Sequence, residues 1–361
     1  MNEQIPSAAG REEPEHETAQ HARQLLRFLS KRKNLLSPLL VLTHDYPDPD
    51  ALAAAFALDY LAGQCFGIEC KIAYGGVIGR TENRAMVRIL RIPVHKLKPS
   101  DLKKYRNVAL VDTQPHFENN PFPNNRRAAI VVDQHPSIVK PAASLAIIDP
   151  GAGATCVIVA QALLQHGVQI PMRVATALAY GVLSDTLDLY RAHRPDVVQT
   201  YISILPRCDM KILARIQNPT RSRRFFLTLG KAIRGAVMNR GLVVAHLGFI
   251  ENPDLVSQMA EFLLTYEHAR WSACTGRYRG KLCVSLRASQ LQSQAGTVLR
   301  EVFANPKEAG GHGAIGGGRF RVGRDPREED WLRAEQELQY RLFKRLRRTT
   351  KGPFQKPFLR D

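Results

Sequence analysis

From residue 36 the chain alternates short apolar, β-branched runs with longer stretches in which apolar positions recur every three or four residues. The short runs predict strands at 39–43, 69–74, 108–111, 128–132 and 145–148, and the longer ones predict helices at 50–62, 155–166 and 173–183. Short β-branched runs alternating with helical ones point to the α/β class, with parallel strands joined by crossover helices.

The pattern changes at 194–224. Arg207, Lys211, Arg215, Arg221, Arg223 and Arg224 crowd a largely helical stretch interrupted by Pro195, Pro206 and Pro219, which reads as a basic connector. Beyond it, strands are expected at 225–235 and 242–249, a helix at 255–267, a hairpin at 271–278 and 281–287, and a helix at 291–303. The organisation expected is therefore a leader at 1–20, an α/β domain at 21–193, the connector, a smaller α+β domain at 225–324, and a basic C-terminal helix and tail at 325–361.

Composition narrows the function without fixing the fold. The formal charge of +18 makes the chain attractive to anions such as nucleic acid, nucleotides, polyphosphate or anionic lipid. The six cysteines have neither a CxxC nor a zinc spacing, so free thiols in a reducing cytosol are expected rather than disulfides. No apolar run reaches the ~18–20 residues of a membrane span, and the polar, acidic start is unlike a signal peptide. In the tail, Lys344, Arg345, Arg347 and Arg348 interleave with Tyr340, Phe343, Phe354 and Phe358. That composition suits single-stranded nucleic acid, an anionic membrane surface or an acidic partner equally.

Candidate chemistry lies where the predicted strands end, the edge at which open parallel sheets bind ligands. "THDYPDPD" places His44, Asp48 and Asp50 after the first run, "VDT" places Asp112, "VDQH" places Asp133, Gln134 and His135, and "GVLSDT" places Asp185 after a helix. Singly each has an ordinary role: Asp50 as a helix cap, Asp112 and Asp133 as turn residues, His44 as a strand-end histidine, Asp185 as a helix-end acid. Together, carboxylates converging on one edge repel one another unless a cation sits among them. Imidazole with several carboxylates suits Mn²⁺ or Mg²⁺ better than zinc. So many acids imply two ions sharing a carboxylate, ~3.5–4 Å apart as in phosphoryl-transfer sites.

A second feature is "KEAGGHGAIGGGRF", with Gly310, Gly311 and His312. Upstream, Arg287 ends the strand in "CVSLRAS". Glycines let backbone N–H groups approach an anion, and arginine can fork onto a phosphate, although a flexible turn and a solvated arginine read the same way.

In order and spacing, "HDYPDPDAL", "VDT", "VDQH" and "SDT" resemble the four motifs of the DHH phosphoesterase superfamily, named for an Asp-His-His triplet in the third. "SLRAS" and "GGHGAIGGG" are similar to the DHHA1 domain that follows it, and the likeness spans about residues 36–322. The resemblance implies that His44, Asp48 and Asp112 hold one Mn²⁺ and Asp50, Asp112 and Asp185 the other, with Asp112 bridging. It further implies that Asp133 and His135 serve catalysis, with His135 facing the substrate phosphate. Arg287, Gly310, Gly311 and His312 would hold substrate in a cleft between the domains, in a homodimer. Two departures stand out: Gln134 occupies the place of the triplet's first histidine, a metal ligand, and Ala309 that of the first of three glycines. A glutamine carbonyl can serve a hard cation, so the second site is expected to be weaker or more tolerant of Mg²⁺.

The function expected is hydrolysis of phosphodiester or phosphomonoester bonds of short oligonucleotides or nucleotides by a two-metal water attack. The alternatives are a degenerate nucleotide- or nucleic-acid-binding protein without catalysis, which Gln134 favours, and a polyphosphatase. Family II pyrophosphatases share the first domain but lack the glycine-rich element in their second.

Overall fold

The computed structural model describes residues 17–137, 139–347 and 354–359, without the side chains of Leu291 and His312. The chain divides into two compact units, with the boundary at Pro219 and Thr220.

Unit 1 runs α1 (Glu17–Leu36), β1 (Leu39–Leu42), α2 (Pro49–Phe66), β2 (Cys70–Tyr74), α3 (Thr81–Leu90), β3 (Val94–Lys96), α4 (Pro99–Lys104), β4 (Asn107–Val111), β5 (Ala128–Asp133), β6 (Ala143–Ile148), α5 (Thr155–His166), α6 (Met172–Thr186), α7 (Pro195–Ile204) and α8 (Met210–Gln217). The strands form one six-stranded sheet in the order β3-β2-β1-β4-β5-β6, every pairing parallel. Alternation along β1 feeds two cores. Leu39 and Val41 pack with the helical layer of α1, α2, α5 and α6, whereas Leu40 and Leu42 join Tyr105, Val108, Leu110 and Phe122 on the other face. The strand order reverses direction between β1 and β4, and such a switch point opens a crevice at the carboxyl edge.

Local chemistry explains how α2 is aimed at that edge. Asp48 caps it by accepting a hydrogen bond from the Ala51 N–H (3.0 Å), Pro49 occupies the first turn, and Gly67 closes it at φ 67°. Its alanines permit close packing on α6. A Cβ at Gly181 would lie 2.9 Å from both Ala53 Cβ and Cys156 Sγ, so a larger residue there would push the helices apart.

Unit 2 runs α9 (Arg223–Gly235), β7 (Val237–Asn239), β8 (Leu242–Phe249), α10 (Asp254–Leu264), β9 (Trp271–Tyr278), β10 (Lys281–Ala288), α11 (Ala295–Val302), β11 (Ala309–His312), β12 (Ile315–Arg321) and α12 (Glu328–Arg345). Its strands form a six-stranded sheet in the order β11-β12-β10-β9-β8-β7, antiparallel except for the β8–β9 pair. Arg277, 5% exposed, joins β9 to α12 through paired hydrogen bonds to Glu335 (both 2.9 Å), and Glu328 takes its remaining nitrogen.

Several expectations are corrected. The leader expected to reach residue 20 gives way to α1 at Glu17, whose Thr18 is buried; residues 1–16 lie outside the described set. The connector is no linker, because α7 and α8 bury Val197, Ile204, Leu213 and Ile216 in the core of unit 1. The strand expected at 225–235 is helix α9, capped by Ser222, with Phe225, Leu229, Ala232 and Ala236 turned to the core at helical spacing. The C-terminal segment expected as a separate basic tail belongs to unit 2. There α12 buries Trp331, Leu338, Leu342 and Phe343, Phe354 packs on Phe343, and Phe358 packs on Tyr266. Three of the four aromatics read as a stacking platform therefore serve the core. Among the described residues no helix is long and apolar enough to cross a membrane.

Candidate metal centre

The acids converge at the switch point of unit 1. His44 lies just past β1, Asp112 follows β4 directly, Asp133 ends β5, Asp48 and Asp50 begin α2, and Asp185 lies in the last turn of α6. Asp112 is the hub. Its backbone takes the left-handed conformation (φ 59°), uncommon for a residue with a Cβ, and the residue is 2% exposed. His44 Nε2 stands 3.6 Å from Asp112 Oδ2 and 4.0 Å from Asp48 Oδ1, and His135 Nδ1 stands 3.5 Å from Asp112 Oδ1. Two triads therefore bring ligand atoms within 4.8 Å of one another, His44–Asp48–Asp112 and Asp112–Asp133–His135, and Asp112 belongs to both.

The remaining residues are held close by the start of α5. Asp50, fully buried, accepts from the N–H groups of Thr155 (2.7 Å) and Cys156 (2.8 Å), a favourable seat for a carboxylate at a helix N-terminus. The Thr155 hydroxyl donates to Asp112 Oδ1 (2.7 Å) and accepts from the Gln134 N–H (3.1 Å). The Gln134 side-chain amide donates to Asp185 Oδ2. The first triad matches the ligand set expected for one ion. The second cation's expected ligands, Asp50 and Asp185, have hydrogen-bonded oxygens, and Gln134 reaches one of them.

Charge at the site is out of balance without a cation. Burial, then the charges of Asp50, Asp48, Asp133 and Asp185, push the Asp112 carboxyl well above the usual carboxylate range. Burial and the neighbouring Asp48 raise Asp50 to about 7, and burial with Asp50 and Asp48 raises Asp185. Burial lowers His44, which keeps its imidazole neutral and fit to ligate. Burial would also lower His135, but the hydrogen bond from its Nδ1 to Asp133 (2.8 Å), with the charges of Asp133, Asp185 and Asp48, raises it to about 9. Several buried carboxylates with suppressed ionisation, a neutral histidine and a shared aspartate fit a divalent-cation centre of the oxygen-rich kind.

Sequence reasoning missed three supports. Thr155 is visible only once α5 is docked, Gln114 lies two residues past Asp112, and Asp45 holds the first loop. Gly75 and Gly76 pack so closely on Asp45 that a Cβ would lie 1.9 Å from its Oδ1 or 2.1 Å from its carbonyl oxygen. A paired "GG" after a strand was the signal for the last.

In unit 2, Arg287 is nearly buried on β10. Its guanidinium donates to the Leu286 and Gly316 carbonyls (3.2 and 3.1 Å) and to Glu261 Oε1 at 3.2–3.3 Å. Gly310 and Gly311 lie in β11, paired with Gly317 and Gly316, and the His312 side chain lies outside the described residues. Much of the glycine cluster has a packing reason. A Cβ on Gly296 of α11 would sit 2.3 Å from the Gly311 carbonyl oxygen, and one on Gly316 2.7 Å from that of Ala295.

Fold and site together define an α/β protein with an acidic, cation-type centre at the switch point of a parallel sheet. No family model matches the chain. It is 33% identical over 285 residues to an uncharacterized protein of Methanocaldococcus jannaschii, which covers 76% of this chain and 56% of that protein. It is 26% identical over 156 residues to a probable manganese-dependent inorganic pyrophosphatase of Streptococcus pyogenes, covering 42% of this chain and 49% of that one. The chain thus spans about half the length of the curated relatives it matches. The crystal structure of an exopolyphosphatase-related protein from Bacteroides fragilis shares the fold with a TM-score of 0.69 at 14% identity, over 91% of this chain and 98% of that one. At 14% identity that likeness is one of fold, and it agrees with the order of motifs that resembles the DHH/DHHA1 phosphoesterase superfamily.

Proposed function

We propose that the chain hydrolyses phosphoester bonds of short oligonucleotides or nucleotides in a reaction that depends on Mn²⁺ or Mg²⁺. The observation that carries this reading is the convergence of Asp48, Asp50, Asp112 and Asp185 with His44 on one edge, where burial and neighbouring charge suppress the ionisation of Asp50, Asp112 and Asp185. His44, Asp48 and Asp112 would hold one ion, and Asp50, Asp112 and Asp185, with the Gln134 carbonyl, a second. Bound there, the ions supply charge neutralisation and activation of water. The chain's own groups do the rest. His135, protonated at neutral pH, offers a positive charge and a proton to a phosphate or leaving oxygen, and Asp133 fixes its ring. Thr155 holds Asp112 and the Gln134 backbone in register. Arg287, with the backbone of Gly310 and Gly311 and with His312, would anchor a further phosphate, displacing the long contacts to Glu261.

A second reading is hydrolysis of inorganic polyphosphate or pyrophosphate. It is favoured by the names of the relatives and by charge, since unit 2 carries 26 of the 51 basic residues and 13 of the 33 acidic ones. The test is hydrolysis of a 5′-labelled RNA dinucleotide and of polyphosphate by the purified chain with Mn²⁺, beside Asp112→Ala. Dinucleotide cleavage lost in the variant supports the first reading. Salt-sensitive cleavage of polyphosphate alone selects the second. Neither, with metal bound, would leave a binding protein.

A further inference from the structure

We propose that Gln114 is a positioning residue for His135, acting through Asp133; its catalytic consequence rests on the hydrolase reading above. Gln114 is fully buried beyond the end of β4. Its Nε2 donates both to Asp133 Oδ2 (2.8 Å) and to the backbone carbonyl of His135 (2.9 Å). The other oxygen of Asp133 accepts from the N–H (3.0 Å) and from Nδ1 (2.8 Å) of His135. One amide thus grips the 133–135 turn at two points, and the imidazole hangs from the far side of the carboxylate it holds.

The orientation of that amide is fixed by its surroundings. Turning it over would set its oxygen against two acceptors, a carboxylate and a carbonyl. As it stands, Oε1 is buried and has no partner among the described residues, so the group is held by its donors alone. The backbone is tied as well, because the Gln114 carbonyl accepts from Asn120 Nδ2 (2.9 Å) and from the Phe117 N–H (3.0 Å). A neutral donor has a consequence that lysine or arginine would not. It satisfies one oxygen of Asp133 without cancelling its charge, so the full carboxylate remains to orient the imidazolium.

The experiment compares wild type with Gln114→Met, which keeps the length and removes the donors. Gln114→Asn, which keeps an amide but shortens its reach, serves if the first does not fold. In metal-free protein with ¹⁵N-labelled histidine, wild type should show a downfield ring N–H signal for His135, and the variant should broaden or lose it. With Mn²⁺ and bis(p-nitrophenyl) phosphate, kcat should fall roughly 10–100-fold, as for other groups that orient a reacting side chain, with KM and Mn²⁺ affinity held within about twofold. In a His135→Ala background the same change should cost nothing further, whereas a merely structural role would multiply the two losses. An unchanged N–H signal overturns the inference whether or not the wild type turns over. A lost signal in an inert wild type keeps the positioning role and removes the hydrolase reading instead.

Discussion

Asp50→Asn isolates the cost of an acid buried without a cation. Asp50 is fully buried, with one N–H on each oxygen, and its carboxyl is raised from an ordinary 3.8 to about 7. The metal-free folded state therefore holds a proton that the unfolded chain has released. Stability falls as pH rises between about 4 and 7, and the penalty is complete above 7. Ionising a carboxyl raised that far costs the folded state about 4 kcal/mol at pH 8. An amide escapes that cost but turns an NH₂ toward one helix N–H, a loss of about 1–3 kcal/mol at any pH. In EDTA the variant should thus melt above wild type at pH 8, by several degrees at the ~2–4 °C per kcal/mol usual for a domain of this size, and that advantage should largely vanish at pH 5, where the wild type has lost only about 2 kcal/mol. Saturating Mn²⁺ should reverse the order at pH 8, because only the wild type keeps the full ligand set. Differential scanning calorimetry at both pH values reads this directly. A melting shift of the same sign and size at pH 5 and pH 8 in EDTA would refute the reasoning.

Three further outcomes follow from the geometry. Gln134→His should tighten the weaker of two Mn²⁺ sites in isothermal titration and reduce its tolerance of Mg²⁺; an unchanged isotherm would mean that Gln134 does not face a cation. Glu335→Ala should cost unit 2 about 3 kcal/mol in urea unfolding, because Arg277 would keep only the exposed Glu328, and a loss below about 1 kcal/mol would show the pair to be dispensable. Gly296→Ala should destabilise unit 2 by roughly 1–3 kcal/mol despite the better helix former, since its Cβ meets the Gly311 carbonyl; a stabilised variant would contradict the close approach of α11 to β11.

The parallel sheet was legible because its central strands β1, β4 and β5 are buried on both faces and read as unbroken apolar runs with the acids just beyond or at their ends. The short edge strand β3, with its half-buried to exposed Val94, His95 and Lys96, carried no such run. What was missed shares a different cause. Helix α1 shows Thr18, Ala22, Leu25 and Leu29 at helical spacing, but its polar start invited a leader. The "RFFLTL" of α9 mimics a strand because both periods place Phe225 and Leu229 on one face, and only the Ser222 cap and Ala232 tip the balance toward a helix. The tail showed cations and aromatics in alternation, yet Phe343 and Phe354 sit in the core of unit 2, and composition cannot separate a buried ring from one awaiting a base. At the site, the residue types and their order could be read along the chain. Thr155 and Gln114 could not, since their roles come from hydrogen bonds between segments far apart in sequence.

The central claim is that the edge of β1, β4 and β5 is a cation centre built on Asp112. Titration of the purified chain with Mn²⁺, followed by electron paramagnetic resonance beside Asp112→Ala, tests it most directly. The account predicts two bound ions per wild-type chain, their signals coupled, and loss of the coupled pair in a variant whose unit 1 still melts cooperatively. Mn²⁺ binding that survives the loss of Asp112 unchanged, or none in the folded wild type, would contradict it.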